Sequence, residues 1–431
     1  MKQELLAKLR LALAVVLIGI FAGLGAAFLS WLIHKVEILA FGHSETTYRI
    51  VTDDTTWQRR LFSLAIGGVI IGALWAWLQV KGKPVVGIKG MMEGKKPSFM
   101  DNIAHSLLQI LAVGVGAPIG REVAPREVGA TFASYITRFC RIDDPKIFSV
   151  LVACGAAAGL AGVYHVPFAG AIFALEILIG VINVPYAVIA ISTSVIATFV
   201  ARIVISPEVF YLVPQIEMST SHVWWSVLLG LLVGIPAKLF GKQVKWAEAN
   251  RTSGKEVMIT LPFVFVLTGI VAIWLPQILG NGRSAVQSAY WLIPVGLGAL
   301  LFVFKWLMVI VNLRAGAFGG TLTPGFALGA LFGLVAGGLI HSFGFHSMDV
   351  TMAAVVCSGA FLAVSMNAPL TAFALTIGFT GQGFDGYVPI IAGISVAMAV
   401  GNFFSFTKKD KDAKDTKDTA TAKEAKAPAK A

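Results

Sequence analysis

Residues 116–130 read GAPIGREVAPREVGA, which sets two carboxylates, Glu122 and Glu127, and two guanidinium groups, Arg121 and Arg126, among prolines and glycines. Carboxylates in such a setting can do two kinds of chemistry. They can neutralise neighbouring cations, or one can take up and release a proton while competing with a small anion for the same donors, because a carboxylate is itself an anion and stops being one when protonated. The rest of the chain is apolar, and an ionisable residue in hydrocarbon costs about 2.5–3.5 kcal/mol or more, so it persists mainly where it is used. Glu122 is the candidate for the second role. The plainer alternative is that it pairs with Arg121 or Arg126. Arg121, Arg126 and Glu127 are read as setting or neutralising the local field, with Glu127 providing charge balance alone.

Such residues need elements that hold them inside a bilayer. The 431 residues are 57% hydrophobic and 13% charged, with a mean hydropathy of +0.80, which is membrane composition. Apolar runs at residues 11–33, 61–80, 223–240, 259–279 and 291–313 approach or reach the roughly 20 residues a spanning helix needs. The first follows Lys2, Lys8 and Arg10 and is too long for a cleaved leader, so it reads as an uncleaved helix. The net charge of +11 does not point to nucleic acid, because the cations gather in short connectors (Lys81, Lys83, Lys89, Lys95, Lys96; Lys238, Lys242, Lys245, Arg251, Lys255) and at the chain ends. That distribution places these connectors and both termini in the cytoplasm of a cell with this protein in its plasma membrane. Residues 407–431 are lysine-rich, interspersed with aspartate and small residues, and read as a disordered tail.

Cofactor and metal chemistry find no footing. Cys140, Cys154 and Cys357 are scattered, and the nearest histidine pair, His341 and His346, has no carboxylate close by. An intramembrane enzyme would need a nucleophile with its base, or a metal cluster, and these residues supply neither.

Internal symmetry is stronger. GREVAPREVGATFA from Gly120 matches GGTLTPGFALGALFG from Gly319, and AGLAGVYHVPFAGAIFAL around Pro167 matches GAFLAVSMNAPLTAFAL around Pro369, both at an offset of about two hundred residues. The halves are roughly 11–205 and 222–406, within a transport domain of 1–406. In each, a glycine- and proline-rich stretch (113–125 and 314–325) must break a helix. Irregular backbone at membrane depth survives only when buried in protein or lining a watery cavity, and the helix starts beyond such breaks offer free N–H groups and a positive dipole end to an anion.

GREVAP at Gly120 resembles the GREGP or GKEGP element of the CLC chloride channels and transporters, GGTLTP at Gly319 resembles that family's GGxFxP, and VVGIK at Val85 lies where its GSGIP would be. The two proline-centred segments are similar to its repeated AxxAPLxG-like helices. The resemblance covers the chain from its first span to about Phe406. It implies an all-α polytopic membrane protein of many tilted and broken helices in two inverted halves, a homodimer with one anion pathway per subunit, and no cofactor. By position, Glu122 matches the gating and proton-coupling glutamate. The filter would comprise Val85, Val86, Gly87, Ile88 and Lys89, then Gly120, Arg121, Val123 and Ala124, then Gly320, Thr321, Leu322, Thr323 and Pro324.

The departures are informative. Val86 stands at the serine whose hydroxyl bonds the central anion, so that anion should rely on backbone amides. Leu322 replaces the phenylalanine, which leaves backbone donors intact. Pro125 is one place late, which should alter how the helix begins. No tyrosine follows Phe406. Ile177 occupies the position of the internal proton acceptor, with Glu176 one place earlier and read first as a structural partner. His165 is expected as a hydrogen-bonded core residue, Lys305 as a side chain reaching the interface, and Arg314 as a candidate for focusing anions. The resemblance implies chloride/proton exchange gated by Glu122, with a passive anion channel as the alternative within the fold. Chloride, fluoride, nitrate and sulfate all remain open as the anion.

Overall fold

The computed structural model describes residues 2–45, 54–205 and 209–403; the proposed tail lies outside them. The helices in chain order are α1 (Lys2–Phe41), α2 (Trp57–Lys81), α3 (Ile88–Met92), α4 (Phe99–Gly114), α5 (Val123–Phe139), α6 (Pro145–Tyr164), α7 (Pro167–Phe173), α8 (Val184–Val204), α9 (Thr220–Ala249), α10 (Val257–Trp274), α11 (Arg283–Tyr290), α12 (Val295–Arg314), α13 (Leu322–Ser342), α14 (Val350–Met366) and α15 (Pro369–Thr380), followed by α16 (Phe384–Phe403). The architecture is all-α. Several helices, α1, α2 and α10 among them, are long and apolar enough to cross a bilayer, whereas α4, α5, α7, α14 and α15 are too short to do so alone.

The repeat seen in sequence is a repeat of local conformation. Asp144 caps α6 by accepting from the Lys146 and Ile147 amides, and Asp349 caps α14 by accepting from those of Thr351 and Met352. Each helix ends on a left-handed residue, His165 at φ 56° and Asn367 at φ 56°. Each is followed by a non-helical residue (Val166, Ala368) before the proline that opens the next helix, α7 or α15. Proline forbids the preceding residue a helical conformation and supplies a preset φ to the first turn, so these sequences stop one helix and start another within three residues.

Small residues let the helices approach closely. A Cβ on Gly129 of α5 would collide with the Gly155 carbonyl of α6, and one on Gly329 of α13 would collide with the Cys357 carbonyl of α14. Where lipid and side chain are equally apolar, such close backbone contact supplies much of the association. Most of α6 and of α14 is buried.

Lys305 corrects an expectation. It does not reach an interface: on α12 it is 0% exposed and its ammonium donates to the Ile278 and Gly280 carbonyls at 2.7 Å each. A buried ammonium is tolerated when its protons are all but spoken for, and here it fastens the turn before α11.

Gly329→Val is expected to lose about 1–3 kcal/mol of stability by forcing α13 from α14, read as a lower melting temperature in detergent. Gly296→Ala, whose Cβ would meet open space, should melt like the unmodified protein.

Candidate functional site

Two glycines with mirrored roles bring the halves together. α4 ends at Gly114 and the chain turns through Gly116 at φ 114°; α12 ends at Arg314 and turns through Gly316 at φ 115°. Only glycine adopts that backbone without strain. The two returning strands of chain meet in an antiparallel bridge, with the Gly120 amide donating to the Gly320 carbonyl at 2.7 Å and the Gly320 amide to the Gly120 carbonyl at 2.8 Å. A reciprocal pair of this kind has a local two-fold axis, so the helices that leave it, α5 and α13, are related by inversion of direction.

Glu122 is the N-cap residue of α5, yet its side chain serves the other half. Oε1 accepts from the Leu322 amide, the first of α13, at 2.7 Å, and Oε2 accepts from the Thr323 hydroxyl at 3.2 Å. The residue is 0% exposed. The carboxylate thus lies at the positive end of a helix, held by charge-assisted bonds. Space as well as charge selects the sequence here, because a Cβ on either Gly120 or Gly320 would collide with this carboxylate.

The arginines are occupied elsewhere, which disposes of simple pairing. Arg126 Nε donates to the Glu122 main-chain carbonyl at 2.9 Å and its guanidinium lies over Phe173. Arg121 lies over the rings of Tyr164 and Phe210. Cations stacked on ring faces keep a partner when water is scarce.

Glu122 separates two cavities. One, of about 310 Å³, is lined by Glu45, Arg121, Tyr164, His165 and Arg283 among others. The other, of about 540 Å³, is lined by Lys83, Val85, Gly87, His105, Val123, Glu127, Arg251 and Gly319 among others. The residue before Glu122 faces the first cavity and the residue after it faces the second. The side chain between them is sealed from both.

The remaining sequence candidates divide. Gly120, Gly320 and Leu322 form the seat. Thr321 is the half-buried N-cap residue of α13, and Ala124, Thr323 and Pro324 are buried in the first turns of α5 and α13. Pro125 is the third residue of α5, where no helical N–H is required, so the one-place displacement does not disturb the helix start. Val85 and Gly87 line the second cavity. Val86 does not offer its amide to it: the Asn102 carboxamide accepts from the Val86 N–H at 3.3 Å and donates to its carbonyl at 2.8 Å, while its side chain, like that of Ile88, packs on the Met91 and Phe148 cluster. Lys89 is exposed on α3.

Ile177 and Glu176 lie on a π-helical turn, Ala174–Ile179, that extends α7. Ile177 packs against the core. Glu176 accepts from the amides of Leu370 at 3.0 Å and Thr371 at 2.7 Å and from the Thr371 hydroxyl at 2.6 Å, so it caps α15 across nearly two hundred residues of chain. Its structural partner is backbone of the opposite half. Arg314 is exposed and donates to the Thr252 hydroxyl at 3.0 Å, and Nε2 of His165 is buried without a partner. Sequence reasoning missed the polar group around His105 and Gln109, spread over α4, α5 and α9, because no spacing in the chain announces it.

Comparison with known proteins agrees with this geometry. A family model described as voltage gated chloride channel matches residues 67–402. The chain is 26% identical over 421 residues to a voltage-gated ClC-type chloride channel, ClcB, of Citrobacter koseri, covering 93% of this chain and 97% of the relative. It is 26% identical over 400 residues to an H(+)/Cl(-) exchange transporter, ClcA, of Vibrio cholerae, covering 85% and 81%. In fold it resembles a slow cyanobacterial Cl-/H+ antiporter, with a TM-score of 0.79 at 21% identity over 92% of this chain and 95% of that one. It also resembles a CLC-type fluoride/proton antiporter, with a TM-score of 0.69 at 19% identity over 91% and 95%.

Gly320→Ala puts a methyl group into the seat of the Glu122 carboxylate. Downhill halide efflux from liposomes, followed with an ion-selective electrode, is expected to rise severalfold as the side chain is displaced; efflux equal to that of the unmodified protein would show that the seat is not on the pathway.

Proposed function

This chain belongs to the voltage gated chloride channel family, and from that premise we propose that it exchanges chloride, or a closely related anion, for protons across the membrane, with Glu122 as the group common to both. It is a multi-pass membrane protein. The observation that carries the reading is the Glu122 carboxylate on the Leu322 amide, fully buried between two cavities.

The ionised carboxylate holds the donors an anion would use, so the two exclude one another. When Glu122 takes a proton it loses the charge that holds it at the helix end, and the Leu322 amide and Thr323 hydroxyl become free for an anion from either cavity. Return of the carboxylate requires loss of the proton and expels the anion. Each cycle thus ties a proton to an anion moving the opposite way, by two occupants competing for one place. The lysine-rich connectors that border the second cavity, with Lys83 and Arg251 on its wall, support placing that cavity and both termini on the cytoplasmic side of a bacterial-type plasma membrane.

The same reading has the protein work as a homodimer in lipid, without cofactor or nucleic acid, by transport and not catalysis. Residues 1–406 form the transport unit and residues 407–431 a cytoplasmic tail. The anion is chloride in the first instance; with Val86 contributing no hydroxyl, fluoride, nitrate and sulfate belong in the same assay. A passive channel is the second reading, favoured by the apolar Ile177 where the family resemblance implies an acid.

Glu122→Gln has the shape and neutrality of the protonated acid but cannot ionise at that position. In liposomes a pH gradient is expected to drive anion uphill through the unmodified protein and not through Glu122→Gln, while downhill anion flux survives in both. Uphill pumping by Glu122→Gln would place the gate elsewhere, and absence of pumping by the unmodified protein would favour the channel.

A further inference from the structure

Resting on that reading, a route is needed by which protons reach Glu122 from the second cavity, since Glu176 is committed to capping α15 and Ile177 is apolar. Glu127 lies one turn and a half along α5 from Glu122 and lines that cavity together with Val123 and Gly319, the chain neighbours of Glu122 and Gly320. Its side chain is 12% exposed. The Gln109 amide donates to Oε2 at 2.7 Å; the Ser106 hydroxyl, whose single proton is shared with the Asn102 carbonyl at 3.1 Å, lies 3.4 Å from Oε2, and His105 Nε2 stands 3.9 Å from the same oxygen.

All of these contacts fall on Oε2, unlike Glu176, which uses both oxygens to cap a helix. Arg126 and Arg251 act on Glu127 electrostatically but make their closest contacts elsewhere. Arg126 of α5 bonds the Glu122 carbonyl, and Arg251, just beyond α9, covers the Phe318 ring at 4.0 Å and stands 3.8 Å from Glu248. Lys83 faces the cavity from the connector before α3. Independently, Gln109 is 1% exposed and its Oε1 has no hydrogen-bond partner. An amide can donate to a carboxylate through nitrogen or, turned over, accept from a carboxylic acid through oxygen. Gln109 can therefore satisfy Glu127 in either protonation state.

We infer that Glu127, seated by Gln109 and Ser106 beside His105, is the inner proton relay for Glu122. A proton passes from water to the Glu127 carboxylate and then, when the seat opens to cavity water, on to the Glu122 carboxylate; Glu127 returns to its anionic form, and one O–H bond breaks as the other forms. This assigns Glu127 a task beyond the charge balance expected from sequence.

The test is simultaneous recording of halide and proton flux in liposomes for the unmodified protein, Glu127→Gln, Glu127→Asp and Glu122→Gln. Protons moved per anion are expected to fall about tenfold or more in Glu127→Gln and to recover at least in part in Glu127→Asp, which restores a carboxyl group. If Glu127→Gln keeps the unmodified ratio while Glu122→Gln loses it, the relay is overturned and the gate stands. If Glu122→Gln also keeps it, the exchange reading itself fails. Should Glu127→Gln not fold, Gln109→Leu retains the acid but removes the partner that suits both states. A shift in the inner pH of half-maximal proton flux supports the relay, and an unshifted profile overturns it.

Discussion

The structure turns on one hydrogen bond, from the Leu322 amide to the Glu122 carboxylate, made across the Gly120 and Gly320 bridge. Two features of a bilayer protein are resolved together there. Broken helices leave amides that hydrocarbon cannot satisfy, and a buried carboxylate is costly unless its charge meets donors. Each cancels the other's cost, but only while the carboxylate is ionised. In the proposed exchange, a proton removes half of the bargain and leaves a helix end that prefers an anion from solution.

Duplication explains how this bond could be built. Gly116 and Gly316, Gly120 and Gly320, and the turns at His165 and Asn367 give the halves nearly the same frame. At equivalent places two residues after the bridging glycine, however, one half has Glu122 and the other Leu322. The first contributes the charge and the second the amide. A symmetric pair of carboxylates would repel, and a symmetric pair of amides would leave the site open to any anion. Close packing of α5 on α6 and of α13 on α14, enforced at Gly129 and Gly329, holds the two helix starts in register.

Much of this was legible in the sequence, for physical reasons. Glycine and proline determine backbone locally, so the breaks around Gly120 and Gly320 and the turns before Pro167 and Pro369 could be read directly, and the repeat followed. Glu122 stood out because an acid in an apolar chain is expensive. What could not be read were side-chain partners far along the chain. Glu176 caps a helix about two hundred residues away, Asn102 takes both polar groups of the Val86 backbone, and Lys305, which its composition would send to an interface, is locked on two carbonyls in the interior. The His105, Gln109 and Glu127 group is likewise assembled from different helices.

The most direct measurement is a crystal structure of Glu122→Gln grown in bromide, compared by anomalous scattering with the unmodified protein in the same salt. The expected result is a bromide within hydrogen-bond distance of the Leu322 amide in Glu122→Gln, at the place the carboxylate holds here, and no bromide there while Glu122 is bound. A bromide seated beside an undisplaced Glu122 carboxylate, or no halide at that amide in Glu122→Gln, would contradict competition for a single place.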